Sequence, residues 1–227
     1  MWVRKRIDIG WSDVGAGILH SLRPFARAAA QDRVERLWSD ADDALACLSV
    51  RSGFDSLLGA LALPHGSEIL VSAVTIPDMV RIIREHGLVP VPVDVDIGSM
   101  APKVERMRAG VTPATRAVLV AHLCGGRFPV EPVAELASRH GLLLFEDCAQ
   151  AFAGAGYRGH PAADVSMFSF GPIKTATSLG GALLRVRDRQ LLRRMRSRQA
   201  AYPAQSRPYY LRRLLKYAAM KVGAMVK

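Results

Sequence analysis

Three segments of this 227-residue chain place chemically capable side chains at the ends of apolar runs. In LLLFEDCAQAF, Asp147 closes an apolar strand, and the carboxyl ends of strands are where open α/β sheets bind ligands. A carboxylate there needs a cation. A protonated ring nitrogen would serve, because that pairing lets a heteroaromatic ring accept electrons from a bound substrate; the alternative is an Asp that caps the next helix. In VSMFSFGPIKTATSLGG, Lys174 follows a second apolar strand, 27 residues after Asp147. Its amine could form an imine with an aldehyde and then serve as base and acid in a proton shift. Ser169 is placed for a phosphate oxygen, and a solvated loop lysine is the alternative. In LSVRSGFDSLLGAL, a strand runs into Ser52-Gly53 and opens a helix, whose free N–H groups and positive dipole end suit a phosphate. The turn is neither GxGxxG nor a Walker loop, and by itself it is common in α/β domains.

Positioning these residues requires strands that end together. From residue 44 onward, short β-branched and apolar runs alternate with helical patterns, which implies an α/β fold: a three-layer, mostly parallel sheet of about seven strands with helices on both faces. The predicted strands are 46–50, 68–72, 89–94, 117–122, 142–147, 165–170 and 182–186. The predicted helices are 54–61, 77–86, 130–140 and 188–198. Pro77 and Pro132 suit first turns, and Gly87 and Gly141 suit left-handed helix ends. Residues 1–43 read as an arm followed by a helix around 24–38, residues 44–198 as the core domain, and residues 199–227 as a basic linker and a final amphipathic helix over 211–226.

The formal charge of +11 would suggest nucleic acid, but its distribution argues otherwise. Residues 185–227 hold 13 Lys or Arg against the single acidic Asp188, so residues 1–184 sum to about −1. In the last segment Leu211, Leu214, Leu215, Ala218, Val222 and Met225 fall at helical spacing, with Arg212, Arg213, Lys216 and Lys221 mainly on the other side. Such a helix docks on its own core, or lies on an anionic membrane surface; nucleic acid is not expected. Cys47, Cys124 and Cys148 lack CxxC spacing, and the six histidines lack HExxH spacing, so neither a disulfide framework nor a metal site is expected. The apolar runs are too short to span a bilayer, and a cytoplasmic protein is expected.

Together these segments resemble the DegT-type sugar aminotransferases, which have the fold type I architecture of aspartate aminotransferase and depend on pyridoxal 5'-phosphate. The resemblance rests on Ser52-Gly53, GLVPVPVDVD at 87–96, VTPATRAVLVAHLCGG at 111–126, FEDCAQ at 145–150 and SFGPIK at 169–174, in that order over roughly residues 44–187. It implies that Lys174 carries the cofactor as an internal aldimine, that Asp147 pairs with the pyridine nitrogen, that Gln150 lies beside the ring, and that Ser52, Gly53 and Ser169 hold the phosphate. It implies transfer of an amino group from glutamate to a keto sugar, nucleotide-linked, in a homodimer with sites between subunits. The chain departs from the pattern in having Phe54 where a Thr is usual, Ile76 where an aromatic usually covers the ring, and a shorter, non-acidic stretch between Lys174 and Gly180-Gly181. The smaller C-terminal domain of such enzymes is not expected within these residues. The rival expectation is a catalytically idle relative that serves as a binding or dimerisation module, and a third is another reaction on the same cofactor, such as elimination.

Overall fold

Alternation within the strands sends successive side chains to opposite faces of one sheet, and a computed structural model of residues 8–23, 26–154 and 156–225 shows both faces covered. The strands are β1 (Ala44–Cys47), β2 (Glu68–Ser72), β3 (Val89–Val93), β4 (Thr115–Ala121), β5 (Leu143–Asp147), β6 (Val165–Ser169) and β7 (Ala182–Val186), in the order β1-β7-β6-β5-β4-β2-β3. The pairs from β3 to β6 are parallel, whereas β7 runs antiparallel to both β6 and β1. Parallel β2, β4, β5 and β6 therefore end at one edge of the sheet, where the candidate residues are.

On one face, Leu45, Ile69, Leu119, Phe145 and Met167 pack against helices α3 (Val50–Leu61), α4 (Pro77–Glu85) and α7 (Arg189–Ala200) through Phe54, Met79 and Met195. On the other, Leu70, Val118, Val120 and Leu144 meet α5 (Val104–Ala109) and α6 (Glu131–Arg139) through Met107, Val133 and Leu136. Trp38, at the end of α2 (Arg27–Trp38), closes that same face against Phe168 and Leu183. Two further helices, α1 (Trp11–Leu22) and α8 (Arg207–Met225), pair around Val14, Leu214 and the buried Leu179. No described helix is long and apolar enough to cross a membrane.

Several element bounds differ from the sequence expectation. Strand β1 ends at Cys47 and α3 begins at Val50, one turn before the predicted start. The reason is a reciprocal cap: the Ser49 hydroxyl accepts the Ser52 N–H at 3.1 Å, and the Ser52 hydroxyl accepts the Ser49 N–H at 3.0 Å. Ser52-Gly53 is thus helical rather than a turn. Part of the predicted arm, including Trp2, and the start of the predicted 24–38 helix lie outside the described residues, while Trp11 and its neighbours form the unforeseen α1. Helix α7 extends to Ala200, past the 198/199 division, and α8 starts at Arg207 rather than 211.

Candidate active site

The ends of β4, β5 and β6, the start of α3 and the loop after β6 enclose a crevice of about 610 Å3, within the size range of small-molecule sites. Asp147, Gln150, Ser169, Lys174 and Ile76 all line it. Asp147 is the last residue of β5, where its backbone carbonyl accepts the His122 N–H at 2.9 Å and its Oδ1 accepts the Ala149 N–H at 2.9 Å. Burial pushes its carboxyl above the usual value; the Ala149 N–H and the charges of Lys174 and His122 offset this only in part. Such a carboxylate is short of a cation, which a protonated pyridine nitrogen would provide.

Lys174 sits in a turn closed by its own N–H on the Gly171 carbonyl at 3.1 Å. Burial lowers its pKa, Asp147 raises it, and Arg51 lowers it further, for a net depression. A depressed ammonium loses its proton more readily and so offers the free amine that attack on an aldehyde needs. Ser169 ends β6, with its Oγ 3.5 Å from the Gly171 N–H. Gln150 is held by its Oε1, which accepts the Cys124 N–H at 3.1 Å. Ile76 is the residue before α4, 41% exposed at the rim.

Three of the expected residues do not reach the crevice. Ser52 is spent on capping, Gly53 lies within α3 beneath Leu184, and Phe54 is fully buried against Phe145 with ring centroids 6.4 Å apart. The helix start that does reach the crevice is that of α3, where Ser49, Val50 and Arg51 line it. The first-turn amides of Val50 and Arg51 precede any intrahelical partner, so they and the positive end of the helix are free for an anion. The signal was present in the sequence as Ser-x-x-Ser ahead of an apolar run, a capping pattern that the more conspicuous Ser-Gly pair obscured.

Also unforeseen is the support behind Asp147. Glu146 is fully buried, and its Oε1 accepts from His122 Nε2 at 2.8 Å and from the Tyr157 hydroxyl; its Oε2 accepts from the His160 N–H at 2.8 Å and the Ser166 hydroxyl at 3.0 Å. Burial alone would raise the Glu146 pKa, but these donors hold it down at about 2. Gly159 allows this closeness: at φ +97°, a Cβ there would stand 1.9 Å from Ser166 Oγ. His122 lines the crevice, and its Nδ1 is buried without a partner among the described residues. His122, Glu146 and Cys148 do bring ligand-type atoms within 4.8 Å of one another. However, His122 Nε2 is engaged by Glu146, and burial, then the Glu146 and Asp147 charges, hold the Cys148 thiol protonated, so the group reads as a hydrogen-bond network.

From the C-terminal segment, Arg213 and Tyr217 of α8 complete the wall. The expected apolar stripe is offset: Leu214 is buried at 1% exposure with Tyr210, Tyr217 and Ala218 beside it, while Leu215 and Val222 are exposed. Arg213 therefore leaves the solvated basic face assigned to it.

The lining fits pyridoxal phosphate by its chemistry: a cation-deficient buried carboxylate, an amine of lowered pKa, and unpaired amides at a helix start. Residues 30–214 match the DegT/DnrJ/EryC1/StrS aminotransferase family. Over 173 residues the chain is 33% identical to the L-glutamine:2-deoxy-scyllo-inosose aminotransferase of Streptomyces kanamyceticus, covering 74% of this chain and 40% of that protein. Over 131 residues it is 38% identical to the dTDP-4-dehydro-2,6-dideoxy-D-glucose 3-dehydratase of Saccharopolyspora spinosa, covering 56% and 28% respectively. Its fold superposes on the sugar aminotransferase CalS13 from Micromonospora echinospora with a TM-score of 0.72 at 25% identity, covering 87% of this chain and 57% of that one. The chain thus spans less than half the length of these two curated relatives.

Proposed function

The chain belongs to the DegT/DnrJ/EryC1/StrS aminotransferase family, whose cofactor is pyridoxal 5'-phosphate, and from that premise we propose that it holds this cofactor on Lys174 and transfers an amino group from glutamate to a keto sugar, nucleotide-linked. The observation that carries the proposal is the meeting of Asp147, Lys174, Ser169 and the α3 start in one crevice. When bound, the cofactor supplies an electron sink for the substrate carbon that loses its proton. The chain's residues do the rest. Asp147 keeps the ring nitrogen charged, and Lys174 Nζ is both the covalent anchor and the group that carries the proton. Ser169 with the Val50 and Arg51 N–H groups holds the phosphate. Gln150 and Ile76 bound the ring.

Assembly from two copies is part of the same proposal, supported by apolar side chains left open at the crevice, Ile76 at 41% and Ile173 at 84% exposure. Contact of the basic face of α8 with an anionic membrane surface would compete with packing on α1, against which the buried Leu214 of that helix already lies.

The test is borohydride reduction of the protein incubated with pyridoxal phosphate, followed by peptide mass spectrometry. A single adduct on Lys174, absent from Lys174→Ala, is expected, together with recovery of the cofactor as its amine after incubation with glutamate or glutamine. Scattered labelling of surface lysines would overturn the cofactor claim. Specific labelling without amination would favour the idle binding module. Loss of a sugar hydroxyl without amino transfer would favour the dehydratase chemistry named for the Saccharopolyspora relative.

A further inference from the structure

The proposed function leaves one side of the crevice without a role. The α8 side, made by Arg213 and Tyr217 next to Gly180-Gly181, is separate in sequence and in element from the α3 start and from Asp147. Arg213 is half-buried, lies beside Gly180, where a Cβ would be 3.6 Å from its guanidinium, and forms no ion pair among the described residues. By contrast, Arg51, which also lines the crevice, is paired with Asp78 at 3.3 Å. The neighbours of Arg213 are fixed. The Tyr210 hydroxyl donates to the Ser178 carbonyl at 2.7 Å, and Leu214 is clamped between Gly17 of α1 and the buried Leu179. Residues 210, 213, 214 and 217 share one helical face, so anchoring Tyr210 and Leu214 also aims Arg213 and Tyr217 into the crevice. A half-buried guanidinium held without a carboxylate is a site for a planar or tetrahedral oxyanion.

We propose that Arg213 and Tyr217 form an anion subsite for the substrate, one that receives a carboxylate or phosphoryl group apart from the cofactor's own phosphate. The inference rests on the reading of the crevice as a pyridoxal phosphate site and extends it to substrate choice. A carboxylate would come from the amino donor, and a phosphoryl group from a nucleotide-linked acceptor.

Calorimetric titration of the full chain, with and without pyridoxal phosphate, distinguishes these cases with glutarate as the carboxylate probe and thymidine diphosphate as the phosphoryl probe. Arg213→Leu is expected to weaken one probe by 10- to 100-fold, with the reduced adduct on Lys174 retained. Arg213→Lys should recover part of the affinity, Tyr217→Phe should lose a few-fold, and Arg212→Leu, which removes an exposed neighbouring charge, should change little. Which probe responds names the source of the anion. Equal loss in Arg212→Leu would reduce the effect to a general basic field and overturn the subsite. Loss of the Lys174 adduct in Arg213→Leu would make Arg213 a cofactor ligand and overturn it too, as would unchanged affinity for both probes. If the wild-type chain fails to form the adduct, the cofactor reading falls while the cofactor-free titration still decides the anion subsite.

Discussion

Glu146 Oε1 lies 2.8 Å from His122 Nε2 with both side chains fully excluded from water, one residue behind the Asp147 that lines the crevice. Because Glu146 is ionised and receives four donors, His122 Nε2 must carry a proton toward it, and this fixes the ring and leaves Nδ1 as the atom without a partner. The pair braces the adjacent ends of β4 and β5, the strands that deliver His122 and Asp147.

This bracing has a stability signature. Glu146→Gln keeps the shape but leaves one acceptor oxygen for four donors, and is expected to lower the unfolding free energy by roughly 3 kcal/mol, read from the urea midpoint. The pH dependence follows from the direction of the shift. With the folded pKa near 2 instead of 4.5, the carboxylate's contribution is fully present above about pH 4.5 and is lost as pH falls toward 2. Acid titration of stability should therefore be steep in that window for the wild type and flatter for Glu146→Gln. Parallel curves would show that Glu146 carries no such shift.

Asp147→Asn separates binding from exchange. The Asp147 charge raises the Lys174 pKa against burial, so its removal should lower that pKa further. Lys174 should then be labelled by pyridoxal phosphate at lower pH than in the wild type. Amination of the cofactor by glutamate should fall by roughly a hundredfold or more, since a neutral ring stabilises the substrate carbanion poorly. A labelling profile that moves to higher pH would contradict the placement of Asp147 beside the amine.

Phe54 is a core residue rather than a lost phosphate ligand. Phe54→Thr, which restores the hydroxyl usual in the resemblance, is expected to cost about 3 kcal/mol through the cavity left against Phe145 and to bring no gain in cofactor affinity. Ser49→Ala, which removes the actual cap of α3, should cost about 1 kcal/mol and weaken cofactor binding. Tighter cofactor binding by Phe54→Thr would reinstate the turn at Ser52-Gly53.

Strands β2 and β7 were legible to the residue, Asp147 was legible as the end of its apolar run and Lys174 as a loop residue after one, whereas Ser169 was read one residue inside a strand that it in fact ends. The α3 start was not legible, because glycine within a helix is locally disfavoured. Gly53 is there for tertiary reasons: Leu184 Cδ atoms stand 2.8 and 2.9 Å from where a Cβ would be, so the helix approaches the sheet closely. Likewise Arg213 could be recognised as half-buried only once α8 was known to lie on α1, a partner almost 200 residues earlier whose Gly15 and Gly17 weaken its helical pattern.

The α1–α8 pair is the element whose loss should leave the sheet intact. Leu214 is 1% exposed, and a Cβ on Gly17 would stand 3.0 Å from its side chain, so the two helices meet at a contact with no slack. The cluster around it is small, formed by Ile9, Val14, Leu179 and Leu214 with partly buried neighbours, and separate from the cores on the sheet faces. Leu214→Ala and Gly17→Val are therefore expected to release α8 locally, at about 2 kcal/mol for Leu214→Ala. Hydrogen exchange should quicken across Arg207–Met225 and Trp11–Leu22 while amides of β4 and β5 keep their protection, and trypsin should gain access to Arg212 and Lys216. Faster exchange in β4 and β5 to the same degree would show that the helix pair is part of the cooperative core rather than a separately docked wall of the crevice.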